Sequence, residues 1–185
     1  MRQDKIRDPL MHYGRLLGIV LLGGVLRFWN LGEKPLWLDE VLTTWFSQGH
    51  NAADIPVQQW FALAQLPLMF QAEPTTCAQI ALNVSTDSTH PPLFFCAMHH
   101  WLGWVDPAWE HLEFTVRSLP ALLGTVAIAA AYGVGRRILS PVTGLVAALL
   151  MAVSPFAVYL SQEARHYTLP MVLILLSLWV LGHLQ

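Results

Sequence analysis

Four apolar segments, each close to the length that a helix needs to cross a bilayer, restrict what this chain can fold into. They cover about residues 10–29, 114–134, 142–160 and 168–184. A transmembrane helix needs about 20 mostly apolar residues, and lipid offers no partner for an unpaired backbone N–H or C=O group. The segments therefore predict an all-α integral membrane protein with about four transmembrane helices.

The composition agrees with a protein whose surface mostly faces lipid. Charged residues make up 12% of the sequence and hydrophobic residues 55%, whereas soluble domains carry about 25% charged residues. Eight tryptophans also fit, because tryptophan gathers at membrane–water interfaces. The net charge of −2 is unlike the basic surface that binds nucleic acid, so we expect membrane lipids and no nucleic acid as partners.

The distribution of charge predicts an orientation in the membrane. Basic residues are concentrated in the N-terminal tail and at Arg136 and Arg137, whereas residues 30–113 are acidic and hold a single lysine, Lys34, and no arginine. Because cytoplasmic loops are rich in lysine and arginine, we expect a multi-pass protein with a cytoplasmic N-terminus and an extracytoplasmic loop at 30–113, in the plasma membrane if bacterial. The first apolar run resembles a signal peptide, but no small-residue cleavage site follows it, so we interpret it as a membrane helix.

Two apolar stretches inside the long loop predict interfacial helices. Residues 91–105 are short for a span, and Trp101 and Trp104 suit headgroup depth, so an interfacial or re-entrant helix fits them better than a crossing. Residues 56–70 have apolar side chains near helical spacing and predict a second helix along the membrane surface. Residues 73–89 are polar, with proline, serine and threonine, and predict a loop.

The cysteines and histidines of the loop give a weak signal for a disulfide or a metal site. Cys77 and Cys96 can pair only if both lie outside the cytoplasm, and two thiols without metal-ligand spacing define no framework, so we expect no disulfide. His99 and His100 are adjacent and would point about 100° apart on a helix, so we expect no metal between them.

Small residues four positions apart predict close helix contacts. Gly14 and Gly18 have this spacing in the first segment, and Ala127 and Ala131 have it in the second. Because such spacing is typical of helix–helix contacts in membranes, we expect both pairs to lie in helix interfaces.

Adjacent carboxylates at Asp39 and Glu40 form the first of three polar clusters next to the apolar segments. One carboxylate can accept a proton from a nucleophile while the other orients a substrate or binds a cation. The plainer interpretation is a helix start, because acidic side chains are favoured in the first turn. The dipeptide alone does not decide between the two.

His90 and the two prolines that follow it form the second cluster. Prolines fix the backbone and can open a helix, and the positive end of a helix is a natural phosphate site. The plainer interpretation is an ordinary helix start with an incidental histidine.

The third cluster is the polar run at residues 161–167, between the third and fourth segments. Its Arg165 can pair with phosphate through a planar fork of donors, and Glu163 can hold Arg165 or bind a sugar hydroxyl. A polar turn with a snorkelling arginine is the alternative, although it accounts for one charge better than for a whole polar run.

In this order, the clusters resemble the N-terminal half of the C-type membrane glycosyltransferases. The similarity is to the branch that holds the dolichyl-phosphate-mannose protein mannosyltransferases and the bacterial lipid-A aminoarabinose transferases. The residues that carry it are Trp37-Leu38-Asp39-Glu40, His90-Pro91-Pro92-Leu93-Phe94, Arg117-Ser118-Leu119-Pro120, Gly135-Arg136-Arg137, and Ser154-Pro155 followed by Gln162-Glu163-Ala164-Arg165-His166-Tyr167.

The resemblance implies a sugar donor linked to a polyprenyl phosphate, a single displacement with inversion, and a protein, lipid or glycan acceptor. It assigns catalysis to Asp39 and Glu40, with Asp39 as general base, and donor phosphate or sugar binding to His90, Glu163, Arg165 and Tyr167. It implies no certain cofactor, and it leaves a divalent cation open because some relatives bind one.

The sequence therefore predicts a glycosyltransferase that acts on the extracytoplasmic face. Because relatives have more spans than the four predicted here, we expect residues 1–185 to be the N-terminal part of the membrane module, with doubtful activity alone and a second membrane chain as a candidate partner. The alternatives are a non-catalytic membrane subunit and a transporter fragment, and the long acidic loop argues against both.

Overall fold

The computed structural model describes residues 8–57 and 60–182, and within these ranges the chain forms helices and connections but no strand. The α-helices are α1 (Pro9–Phe28), α2 (Leu38–Ser47), α3 (Leu66–Met69), α4 (Cys77–Asp87), α5 (Leu93–Val105), α6 (Leu112–Ile138), α7 (Pro141–Val153), α8 (Pro155–Ser161) and α9 (Thr168–Leu181). Short 3₁₀ turns lie at Ala52–Asp54, Leu63–Gln65 and Trp109–His111. The prediction of an all-α protein is confirmed for these residues.

The helices form two compact units. The membrane unit comprises Met1–Leu31 and Pro120–Gln185, and the loop unit comprises Gly32–Leu119. Helix α6 crosses the boundary in sequence, so its first turns belong to the loop unit and the rest to the membrane unit.

Among residues 8–57 and 60–182, two helices are long and apolar enough to cross a membrane, namely α1 and the helix that runs over Trp109–Ile138. A third crossing is complete if α7 and α8, which are bent by 61° at their junction, form one broken span. Helix α9 is apolar but has 14 described residues, and residues 183–184 of the predicted fourth span lie outside the described part of the chain. The protein is therefore an integral membrane protein, and the count of four spans stays a prediction.

The predicted span at 142–160 is two helices because the chain breaks at Ser154. The Ser154 hydroxyl accepts a hydrogen bond from the backbone N–H of Ala157 at 3.3 Å, and Pro155 occupies the first position of α8, where its missing N–H is harmless. The break leaves the last carbonyls of α7 without helical partners. The buried guanidinium of Arg27 donates to two of them, at Met151 (2.9 Å) and Ala152 (3.1 Å).

The core of the membrane unit lies where α6 approaches α7, and Leu16, Ile19 and Val20 of α1 pack against it. The core of this contact consists of Ile128, Tyr132, Ala148 and Ala152. A Cβ added at Gly144 would lie 2.7 Å from the carbonyl oxygen of Tyr132, so only glycine fits there. The prediction that Ala127 and Ala131 are packed is confirmed, since both are buried.

The prediction for Gly14 and Gly18 is wrong. A Cβ added at either glycine would meet no atom within 4 Å. The spacing shows only that small residues share one face of the helix. It does not determine whether another helix packs there, and among the described residues none contacts these two positions.

The loop unit contains a helix where the polar stretch 73–89 predicted a loop. Thr76 begins α4 by accepting a hydrogen bond from the N–H of Gln79 at 3.2 Å. Ile80 and Val84, one turn apart, are fully buried in a cluster with Phe46 of α2 and Phe95 of α5. The buried apolar pair outweighs the polar composition, because helical stability in proteins comes mainly from packing of one face.

The predicted surface helix at 56–70 does not form as one continuous helix. Residues 60–62 are not helical, and only the short turns Leu63–Gln65 and Leu66–Met69 form. Pro67 explains this limit, because a proline is tolerated in the first turn of a helix but interrupts a helix interior. Gln58 and Gln59 lie outside the described residues.

Helix α5 forms as expected over Leu93–Val105, but its two tryptophans differ. The indole N–H of Trp101 donates to the carbonyl oxygen of Thr115 and to the hydroxyl of Ser118, both at 3.0 Å, so this side chain holds α5 against the start of α6. Trp104 is 78% exposed, which fits the predicted interfacial position.

A disulfide joins Cys77 at the start of α4 to Cys96 of α5, contrary to expectation. The Cα atoms are 5.3 Å apart, within the usual range for a disulfide. Sequence spacing could not show this pairing, because it depends on α4 being a helix that packs on α5.

Candidate active-site residues

The predicted acidic pair lies in the first turn of α2, in the loop unit. The two carboxylates differ in environment, since Asp39 is partly exposed whereas Glu40 is fully buried. One Glu40 carboxylate oxygen accepts a hydrogen bond from the backbone N–H of Trp37 at 3.3 Å, so Glu40 ties down the start of the helix. The helix-start interpretation and the functional one are therefore compatible.

Arg117 of α6 binds the Glu40 carboxylate through two donors. Its Nε lies 2.8 Å from Oε1 and its Nη2 lies 2.6 Å from Oε2. The same guanidinium donates to the carbonyl oxygens of Lys34 (2.7 Å) and Pro35 (3.1 Å). Both charged side chains are almost fully buried, so this ion pair fixes the start of α2 and the turn before it.

The ion pair separates the roles of the two carboxylates. Glu40 is engaged by Arg117 and has no exposed surface, whereas Asp39, one residue earlier, retains surface that a substrate can reach. The pairing was not predicted from the sequence, although Arg117 belongs to one of the motifs that carry the family resemblance. Its partner could be found only by knowing that α6 packs beside α2.

His90 lies just before the two prolines that precede α5. Its Nδ1 is 2.6 Å from the hydroxyl of Ser88, and its ring centroid is 6.4 Å from that of Phe95. The hydroxyl and the aromatic ring orient the imidazole, which is partly exposed.

The polar run at 161–167 is anchored to the end of α1 in the membrane unit. The side-chain amide of Gln162 donates to the carbonyl oxygens of Leu26 (3.2 Å), Arg27 (3.3 Å) and Trp29 (3.0 Å). Those carbonyls end the helix and lack intrahelical partners. The Ser161 hydroxyl, fully buried, accepts from Arg27 at 3.2 Å. These contacts hold the run in one place.

Arg165 is the buried cation of this run. The side chain is 6% exposed, and its guanidinium carbon lies 5.9 Å from the centre of the Tyr167 ring, within the range of a cation–π contact. The backbone N–H of Arg165 donates to the carbonyl oxygen of Glu163 at 2.7 Å, which makes a tight turn. Glu163 and Tyr167 are both partly exposed.

Thr168 adds a polar group that the sequence did not single out. Its hydroxyl is fully buried at the first position of α9 and has no hydrogen-bond partner among the described residues. Because an unsatisfied buried polar group costs about 1–3 kcal/mol, such a group points to a bound water or ligand. A threonine at the start of an apolar helix offered no signal in sequence.

The predicted site residues thus fall into two groups. Asp39, Glu40 and His90 belong to the loop unit, and Glu163, Arg165 and Tyr167 belong to the membrane unit. Within the described residues, a cluster with metal-ligating potential forms elsewhere, from Cys77, Cys96 and His100. The divalent cation allowed by the sequence stays a prediction.

Comparison with known proteins gives one match. The family model described as dolichyl-phosphate-mannose-protein mannosyltransferase matches residues 90–184, more than half of the chain. The match begins at His90 and includes the polar run with Arg165, and it begins after Asp39 and Glu40. No curated protein and no solved structure matches the chain.

Proposed function

This chain belongs to the dolichyl-phosphate-mannose-protein mannosyltransferase family of membrane glycosyltransferases, and on that premise we propose that it moves a sugar from a polyprenyl-phosphate carrier to an acceptor on the extracytoplasmic face of a membrane. The observation that carries the proposal is a buried arginine, Arg165, inside the family match and between two apolar helices. A buried cation there suits the phosphate of a lipid carrier.

The phosphate-binding role of Arg165 rests on its chemistry and its surroundings. Guanidinium groups bind phosphate through paired donors, and burial strengthens the attraction because the local dielectric is low. Three residues later α9 begins, and the N-terminus of a helix favours an anion. The buried hydroxyl of Thr168 is a further donor at that helix start.

Asp39 is proposed as the general base. The acceptor hydroxyl oxygen attacks the anomeric carbon while Asp39 takes the hydroxyl proton, and the bond from that carbon to the phosphate oxygen breaks. The electron pair leaves with the polyprenyl phosphate, whose charge Arg165 neutralises. Stabilising a departing anion with preorganised charge is often the largest contribution to such a rate.

Glu40 is proposed as a positioning residue. Its carboxylate binds Arg117 and the backbone at the start of α2, which holds the neighbouring Asp39 in place. The catalytic role that the sequence predicts for Glu40 stays a prediction, and the buried ion pair supports the positioning role. His90 is proposed as a second group for the donor phosphate, and Glu163 as a partner for a sugar hydroxyl.

Donor binding tests the proposal at Arg165. The full chain is placed in membrane vesicles with a radiolabelled polyprenyl-phosphate mannose, and retained label is measured at equilibrium. We expect Arg165→Ala to weaken binding about 10- to 100-fold, the effect of losing charged hydrogen bonds worth about 1.5–3 kcal/mol.

Arg15→Ala is the matched control, because Arg15 is an exposed arginine of the same unit outside the polar run. Its donor affinity is expected to equal that of the parent. If both variants bind the donor as the parent does, Arg165 has no role in binding the phosphate.

A further inference from the structure

Three potential metal ligands, none of them a proposed transferase residue, lie together on the loop unit. They are Cys77 at the first position of α4 and, four residues apart on α5, Cys96 and His100. The ligand atoms all lie within 4.8 Å of one another. The Nε2 atom of His100 is 3.3 Å from the sulfur of Cys77.

We propose that Cys77, Cys96 and His100 form a redox-gated zinc site, closed as a disulfide when oxidised and able to bind Zn²⁺ when reduced. The site is independent of the proposed sugar transfer, so either proposal can fail without the other.

The distances suit a tetrahedral metal. With Zn–S bonds of about 2.3 Å and Zn–N bonds of about 2.0–2.1 Å, neighbouring ligand atoms lie about 3.5–3.8 Å apart. The His100–Cys77 separation is already close to this value, and breaking the disulfide lets the two sulfurs separate. Two thiolates and one imidazole leave a fourth position for water, as in zinc sites with three protein ligands.

The local structure favours metal binding by the reduced form. Cys77 lies at the N-terminus of α4, where the helix dipole stabilises a thiolate. Cys96 and His100 share one face of α5, because residues four apart are neighbours on a helix. His100 is exposed and both cysteines are partly exposed, so a reductant and an ion can reach the cluster.

The chemistry has two balanced steps. A dithiol reductant donates two electrons and two protons to the disulfide, which becomes two thiols while the reductant becomes a cyclic disulfide. Zn²⁺ then binds both sulfurs and the His100 nitrogen and displaces two protons from the thiols.

Co²⁺ binding to the purified full chain tests the site. Co²⁺ stands in for Zn²⁺ because its absorption reports both sulfur ligation and tetrahedral geometry. After reduction with a phosphine, which does not bind the metal as a dithiol would, we expect a sulfur-to-cobalt charge-transfer band that Zn²⁺ abolishes. The untreated, oxidised chain is expected to show no such band.

The decisive variant is His100→Gln, which keeps both cysteines and the disulfide that holds α4 to α5. Its reduced form is expected to bind Co²⁺ at least about 10- to 100-fold more weakly than the parent, the effect that even an outer-shell partner can have. His111→Gln, a change at an exposed histidine outside the cluster, is expected to bind as the parent does. Equal affinity in the parent and His100→Gln, or no charge-transfer band in the reduced parent, overturns the proposal.

Discussion

At the residue scale, the two neighbouring carboxylates of α2 have opposite environments. The sequence predicted Asp39 and Glu40 as one acidic pair, and the structure separates them into a partly exposed group and a buried one. Their residue types and their place beside an apolar segment were readable from the sequence. The separation was not, because it depends on Arg117, which is distant in sequence and adjacent only after folding.

The buried ion pair makes a stability prediction. Arg117→Met is expected to lower the free energy of unfolding by about 3–5 kcal/mol, because it leaves the Glu40 carboxylate buried without its partner. The double variant Glu40→Met/Arg117→Met is expected to recover much of the loss, since replacing a whole buried pair by apolar side chains is often neutral. Thermal unfolding in detergent measures both.

Arg137→Met is the matched control, because Arg137 is exposed and donates to one backbone carbonyl. Its effect is expected to stay within about 0.5 kcal/mol, as is usual for surface substitutions. If the single Arg117 variant is as stable as the parent, the ion pair does not anchor α2.

At the element scale, the length of an apolar segment predicted helices better than polar composition predicted loops. Segments 10–29 and 114–134 form single helices, α1 and α6, and α6 continues through Pro120. The third segment breaks at the Ser154 cap, a local signal that total hydrophobicity conceals. Helix α4 was missed for the opposite reason, since its polar surface hides two buried side chains, Ile80 and Val84.

The packing of Gly144 in the membrane unit is tested by comparing Gly144→Ala with the same substitution at Gly14. Gly144→Ala is expected to destabilise the protein by about 1–3 kcal/mol, the usual effect of overpacking, because the new Cβ would lie 2.7 Å from a backbone oxygen that cannot move aside. Thermal unfolding in detergent measures the change.

Gly14→Ala makes the same change in α1, where the new Cβ meets open space. It is expected to be neutral or to stabilise by up to about 1 kcal/mol, because alanine favours helix. Equal destabilisation by both substitutions would contradict the account, because a contact made only at Gly144 cannot explain the same loss at Gly14.

At the scale of the whole molecule, composition and span length were enough to predict an integral membrane protein, and the family match supports the glycosyltransferase class. The sidedness is a prediction from charge alone. The Cys77–Cys96 disulfide favours it, because disulfides persist in oxidising compartments. The arrangement of the site residues is harder to predict than the class of protein, because the role of each residue depends on contacts with residues far away in the sequence.

Sidedness is measured by labelling sealed right-side-out vesicles with a membrane-impermeant maleimide after reduction. We expect Cys77 and Cys96 to be labelled from outside. In a Cys77→Ser/Cys96→Ser background, Leu139→Cys, an exposed position beside Arg136 and Arg137, is expected to react only after the vesicles are opened. The opposite orientation would follow if Leu139→Cys were labelled in sealed vesicles and the native cysteines of the parent chain were labelled only after the vesicles are opened.

The most direct test of the central claim is release of sugar from a labelled polyprenyl-phosphate donor by the full chain in membranes, with Asp39→Asn compared with Asp106→Asn. Asp106 is exposed and has φ of 47°, a conformation that asparagine tolerates, so it controls for loss of one carboxylate. We expect Asp39→Asn to bind donor as the parent does but to release sugar about 10²- to 10⁴-fold more slowly, the usual contribution of a general base. Asp106→Asn is expected to keep the parent rate. Equal rates for Asp39→Asn and the parent, or donor bound by the parent with no sugar released to any acceptor, would contradict it.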